Sequence, residues 1–278
     1  MTNRFWLNGS GIRVVGGMML MAFASPTWAQ TTPPRVMVEH SAQHSFTSKA
    51  TTRTYEIMVS VPDDYETSGK PYPVLYVLDG WHFPLLAFIQ HNSIYSKRMP
   101  PVIMVVIGHG HPPNLNYVRE QDFLGPTSQP KGTSGHAERF LAFLEGELIP
   151  FIERQYRTIP SDRALLGHSY GGAFAIYTLS ERPELFQRIV CVSPAFASTR
   201  AMIFGFLKER LEKLSSPVIL DLSVGTEGDL TEETAALASL FDSIKAANPR
   251  RRLTFYNGEN HDSVRLSAFS AGLYWVYR

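Results

Sequence analysis

The sequence predicts an α/β fold with a mostly parallel sheet covered by helices on both faces. Two observations carry this expectation. Short apolar runs alternate along the chain with longer segments of helical periodicity, the pattern of strands joined by crossover helices. Two of the runs, residues 74–78 and 102–107, are continuously apolar rather than alternating, as strands buried on both faces require. A length of 278 residues with a hydrophobic fraction of 44% suits one large domain with a substantial core, and no internal repeat or low-complexity block interrupts it.

Taken in order, the chain opens with an export signature. Arg4 and Arg13 form a basic region, residues 14–24 are apolar, and Thr27-Trp28-Ala29 offers a small-x-small cleavage site before Gln30. Residues 1–29 therefore read as a signal peptide and stay outside the fold. Their apolar run is too short for a comfortable membrane span, so the processed chain is expected to be exported, periplasmic or secreted, without stable membrane insertion. Residues 30–52 are polar and read as a flexible lead-in, and 53–278 as the catalytic domain. Loss of 1–29 removes two of the 26 basic residues and none of the 25 acidic ones. The remaining 24 against 25 give a net charge of −1, which recruits neither nucleic acid nor an anionic membrane by bulk charge. The single cysteine, Cys191, lies in an apolar run and reads as a core hydrophobe, so no internal disulfide is available.

Within the domain, residues 55–61 alternate with a period near two and read as an antiparallel edge strand. Strands follow at 74–78, 102–107, 164–167, 189–192, 218–224 and 253–256. Helical spacing marks 137–156, where Phe140, Leu141, Leu144, Leu148, Phe151 and Ile152 share a face, and then 171–180, 203–214, 232–247 and 263–277. Residues 108–135 read as a long loop rich in Gly, Pro, Asn and Ser, of the kind that serves a site. An acyl pocket is expected to draw on this loop and on the aromatic side chains of 81–88.

The chemistry concentrates in Gly167-His168-Ser169-Tyr170-Gly171, a Gly-x-Ser-x-Gly pattern between a short strand and a helix. A nucleophile there sits on a sharp, strained turn, and the flanking glycines let strand and helix approach. The helix N-terminus beneath it favours developing negative charge. A serine hydroxyl needs a base. His261 is the only histidine after Ser169 and lies just past the last strand. The acid that orients it should follow the strand at 218–224, where Glu227 comes first after the turn glycine Gly225 and Asp229 is the alternative. An oxyanion would take one N–H from Tyr170 and a second from Trp81, in the turn after residue 78. His109-Gly110-His111 lacks further ligands at metal-site spacing, so no metal is expected there, and His168 reads as a packing residue.

These residues, with three further stretches, resemble the esterase-D-like branch of the α/β-hydrolases, which includes enterochelin and related siderophore esterases. Residues 74–80 resemble that family's strand and oxyanion turn, and Asn260-His261 its histidine loop. Arg119 to Asp122, after Ile107-Gly108, resembles its Arg-x-x-Asp segment. The resemblance implies an α/β-hydrolase fold and cofactor-free hydrolysis of carboxylic esters, including siderophore-type and other small esters. It also implies that some members rely on a Ser/His pair with a weak or absent acid. Arg119 and Asp122 are expected to form a structural pair near the site. An acyltransferase using the same serine, or a non-catalytic exported ligand-binding protein, are the other functions this fold could host. The intact serine and histidine argue against the second.

Overall fold

The computed structural model describes residues 38–125, 135–196, 199–212, 217–226, 228–243 and 249–278. Among them eight strands build one sheet: β1 (Ser41–Thr47), β2 (Thr54–Ser60), β3 (Tyr72–Leu78), β4 (Ile103–Gly108), β5 (Thr158–His168), β6 (Arg188–Val192), β7 (Ile219–Val224) and β8 (Arg250–Phe255). Their spatial order is β1-β2-β4-β3-β5-β6-β7-β8. The β1–β2 and β2–β4 pairs are antiparallel and every pair from β4 to β8 is parallel.

Strand β3 shows how the sequence makes a two-faced core. Val74, Tyr76 and Leu78 join one buried cluster, and the intervening Leu75 and Val77 join the other, because successive strand side chains point to opposite faces. Both sets are buried, which is why the run carries no polar residue. After the one-turn helix α1 (Tyr65–Ser68) come the longer ones, and the second cluster includes residues from α2 (Phe83–Tyr95) and α9 (Val264–Val276). The first includes residues of α4 (Ala137–Phe143), α5 (Ile149–Gln155), α6 (Tyr170–Glu181), α7 (Arg200–Glu212) and α8 (Asp229–Ser243). Residues Leu144–Leu148 join α4 to α5 through a wider, π-type turn. Pro150 follows it and has no N–H to return to the carbonyl four residues back, a loss that such a turn accommodates.

Three expectations need correction. Strand β2 is antiparallel but not an edge, because β1 pairs with it over Ser41–Thr47, inside the stretch read as a flexible lead-in. An edge strand exposed along much of its length carries polar residues and leaves little apolar signal. The loop read over 108–135 contains a helix, α3 (Leu115–Phe123), capped by the Asn114 side chain accepting from the Tyr117 N–H. Helix α2 also went unread, since it is apolar around much of its circumference and shows no amphipathic stripe. The stretch read as a signal peptide lies outside the described residues. No helix among the described residues is long and apolar enough to cross a membrane.

Candidate active site

Ser169 stands between the end of β5 and the start of α6 with φ 61° and ψ −124°. That is a left-handed backbone which non-glycine residues seldom adopt, and it persists only where surroundings enforce it. Here they do. The Ser169 N–H donates to the Val192 carbonyl at 3.0 Å, and the Ser169 carbonyl accepts from Ala173 at 3.0 Å and Ala195 at 3.1 Å. Strand and helix meet so tightly that a Cβ at Gly167 would lie 2.1 Å from the Gly171 carbonyl oxygen, which makes glycine obligatory there.

The carboxyl ends of the parallel strands bring Trp81 and His261 to the same edge. Trp81 lies in a short 3₁₀ turn, Gly80–His82, directly after β3. His261 lies between β8 and α9. Its turn is organised by Asn260, whose side-chain oxygen accepts from the N–H groups of Asp262 and Ser263, both at 2.9 Å, while the Asn260 N–H donates to Ser263 Oγ at 3.0 Å. Trp81, Ser169, Tyr170 and His261 line one open cleft of 520 Å³. Leu115, Asn116, Arg119 and Glu120 of α3 line it too, as do Asp262 and Arg265.

Beneath the cleft, Asp79 is fully buried and has φ 73°. Arg119 grips it with both arms of the guanidinium, Nε to Oδ1 and Nη2 to Oδ2 at 2.8 Å each. The same guanidinium lies 5.0 Å from the Trp81 ring, 5.4 Å from that of Tyr170 and 5.8 Å from that of Phe123. It thus ties the turn that carries Trp81 to the start of α6. The Tyr170 hydroxyl donates to Glu120 Oε1 at 3.2 Å, and its pKa is raised by burial and then by the Glu120 charge.

The expected pairing of Arg119 with Asp122 is not what forms. Asp122 accepts instead from the Tyr55 hydroxyl at 2.8 Å, lies 3.1 Å from His109 Nε2, and pairs with Arg53 Nε at 3.2 Å. Three residues apart on α3, the two side chains serve different partners. His109 is buried in this hub, and among the described residues no group of three His, Cys, Asp or Glu gathers where it could hold a metal ion. The aromatic stretch after Trp81 also goes elsewhere. Phe88 is exposed and lines a separate cleft with Val61, Pro84 and Tyr95. Cys191 is fully buried, its thiol facing the Gly172 carbonyl at 3.3 Å, and burial pushes its pKa well up.

The turn after β7 abuts the histidine loop. The N–H and the hydroxyl of Thr226 both donate to the Glu259 carbonyl, at 2.8 and 3.0 Å. Glu227 lies outside the described residues. Asp229 is exposed in the first turn of α8, where a carboxylate is stabilised by the helix N-terminus.

Sequence reasoning missed Glu120, Asp262 and Arg265 as cleft residues. Asp262 and Arg265 form an i,i+3 pair with 3.1 Å between Oδ1 and Nη2, a spacing visible in the sequence once α9 is placed. Glu120 has no such signal, because the helix that places it, α3, buries polar residues and shows no apolar period.

A strained serine at a strand-to-helix turn, on the carboxyl edge of a mostly parallel sheet with helices on both faces, defines an α/β-hydrolase. The chain belongs to the family described as "Putative esterase", which matches residues 48–265, and it is a carboxylic ester hydrolase. It is similar to the ferri-bacillibactin esterase BesA of Bacillus subtilis (strain 168), with 27% identity over 78% of this chain and 82% of that one. It is also similar to the siderophore triacetylfusarinine C esterase of Aspergillus fumigatus, with 32% identity over 51% of each chain. Among solved structures, the BES protein from Bacillus cereus superposes with a TM-score of 0.75 at 25% identity, covering 89% of this chain and 98% of that one. The siderophore hydrolase EstB from Aspergillus nidulans shares the fold, with a TM-score of 0.76 at 22% identity over 88% and 97% of the two chains.

Proposed function

We propose that this protein is an exported serine esterase that cleaves siderophore-type esters through an acyl-enzyme on Ser169. The observation that carries the reading is the left-handed Ser169 sharing one cleft with His261, Tyr170 and Trp81. In the proposed cycle His261 takes the Ser169 proton as Ser169 Oγ bonds to the ester carbonyl carbon. The oxyanion lies between the N–H groups of Tyr170 and Trp81, above the N-terminus of α6. His261 then gives its proton to the departing alcohol. Water, deprotonated by the same histidine, attacks the acyl carbon, and collapse releases the acid and restores Ser169. Glu227 orients His261, a role supported by its neighbour Thr226, whose N–H and hydroxyl both donate to the Glu259 carbonyl in the histidine loop. Asp229 serves α8 instead, as its exposure in the first turn supports.

The relatives named for bacillibactin and triacetylfusarinine C support a siderophore ester as substrate. So does the cleft, where the half-exposed Trp81 ring offers a stacking face and Arg265 a cation, a pairing suited to an electron-rich aryl acid. The basic and apolar order of residues 4–29 supports export, with Gln30 as the first residue of the processed chain.

The test is hydrolysis of p-nitrophenyl acetate and butyrate, followed by a panel of siderophore esters, by the parent and by Ser169→Ala, Glu227→Gln and Asp229→Asn. The parent should turn over both model esters and at least one siderophore. Ser169→Ala should fall to near background, and Glu227→Gln should lose roughly tenfold or more in kcat while Asp229→Asn stays close to the parent. Activity surviving in Ser169→Ala would refute the mechanism.

A further inference from the structure

Three histidines form a column that runs from the core to the cleft. His82, at the end of the turn carrying Trp81, is buried, and its ring centroid lies 5.9 Å from that of His168. His168, the residue before the nucleophile, is buried and lies 4.4 Å, centroid to centroid, from His261 at a tilt of 40°. His168 Nε2 lies 2.8 Å from the carbonyl oxygen of His261. A carbonyl only accepts, so this ring nitrogen carries the proton and donates. Phe269 of α9 closes the far side, with its ring 5.1 Å from His82 and 6.4 Å from His168.

We propose that His168 is a positioning residue of the esterase reaction, whose Nε2–H fixes the backbone of His261 while its ring supports the His261 imidazole. The proposal rests on the serine mechanism given above. A packing role alone would not need a ring nitrogen aimed at this carbonyl. Phe or Leu would fill the volume next to Phe269, and a buried histidine without its partner costs stability. Here the donor meets the backbone of the very residue that must face Ser169, across 93 positions of sequence. The column also suits the charge that the reaction creates. Burial above all, with the charge of a protonated His261 adding to it, pulls the His168 pKa down to about 2. Burial and the charges of Arg265 and Arg119 pull His82 down to about 3. When His261 becomes an imidazolium, the rings behind it are neutral and do not repel it. His261 serves both acylation and deacylation, so a displaced imidazole slows both steps together and leaves KM nearly unchanged.

The experiment compares His168→Phe, which keeps a ring and removes the donor, with His168→Gln, whose side-chain N–H reaches a similar point. p-Nitrophenyl butyrate is the substrate, and Ser169→Ala runs in parallel. His168→Phe should lose about 10- to 100-fold in kcat, the scale of a catalytic group displaced by an ångström or less, with KM within about twofold. His168→Gln should recover most of that loss. A folded His168→Phe with near-parent kcat would overturn the proposal, as would a Gln variant no better than Phe. If the Phe variant does not fold, nitrogen NMR of the parent's histidines decides. His168 should show a protonated Nε2 and a bare Nδ1 from pH 5 to 8, and the opposite tautomer or an imidazolium would overturn it. Ser169→Ala separates the two levels. Activity lost there with His168→Phe unaffected removes only the role of His168, whereas activity retained there removes the serine mechanism itself.

Discussion

Among the described residues, Asp79 and Asp221 are buried without any exposed surface, each facing an arginine, and they are satisfied to different degrees. Asp79 has both oxygens engaged by Arg119, itself almost wholly buried. Asp221, in the middle of β7, meets Arg252 Nε through Oδ1 at 2.6 Å, but its Oδ2 has no hydrogen-bond partner among the described residues, and Arg252 remains partly exposed. Burial raises the Asp221 pKa above its ordinary value, with the hydrogen bond and charge of Arg252 offsetting part of the effect. A buried carboxylate returns its desolvation cost only when its lone pairs are matched. The matched pair lies under the cleft, at a residue with φ 73° next to the turn carrying Trp81. The half-matched pair lies against α9, where a Cβ at Gly272 would come within 2.7 Å of the orphan oxygen. The fully satisfied ion pair thus lies beneath the cleft lined by Trp81, Ser169 and His261.

The difference can be broken most strongly at Arg119. Arg119→Ala strands a buried carboxylate at a left-handed turn and should cost about 3–5 kcal/mol in urea unfolding. Because the guanidinium also ties Trp81 to Tyr170, kcat should fall on the order of a hundredfold in whatever protein folds. Arg119→Lys keeps the charge but cannot make both bonds, and should cost about 1.5–3 kcal/mol with a smaller loss in kcat. Asp221→Asn is the mild counterpart, with a cost of about 1 kcal/mol and activity within about twofold of the parent. Its cost should also depend on pH. An acid whose folded pKa lies above its unfolded value contributes stability below the unfolded value, and that stability is lost as pH rises through the folded one. Asp221→Asn should therefore be most harmful near pH 3.8 and below, and become less so as pH rises. A cost that grows with pH would contradict the raised pKa.

The same contrast explains what was legible in the sequence. The elbow was readable because its tightest constraint is local: a Cβ at Gly167 would strike the backbone of Gly171 and Gly172, in the helix that follows the strand. The parallel strands were readable because burial on both faces leaves continuous apolar runs such as β3 and β4. Helix α3 was not, since its buried residues include Arg119, Gln121 and Asp122, and a helix that buries polar groups shows no apolar period. Arg119 and Asp122 invited pairing with each other by proximity in the chain. Their partners lie 40 residues back at Asp79 and 67 back at Tyr55, and only the sheet brings those together. Strand β1 was lost for the opposite reason, because an exposed edge strand needs few apolar residues.

The central claim is that Ser169 is the nucleophile of this cleft. Its most direct test is exposure of the processed protein to a fluorophosphonate, with intact-mass analysis and peptide mapping. One adduct per chain, located on Ser169 and abolished in Ser169→Ala and in heat-unfolded protein, is the predicted result. A folded protein that takes up no label, or carries it on another residue, would contradict the account.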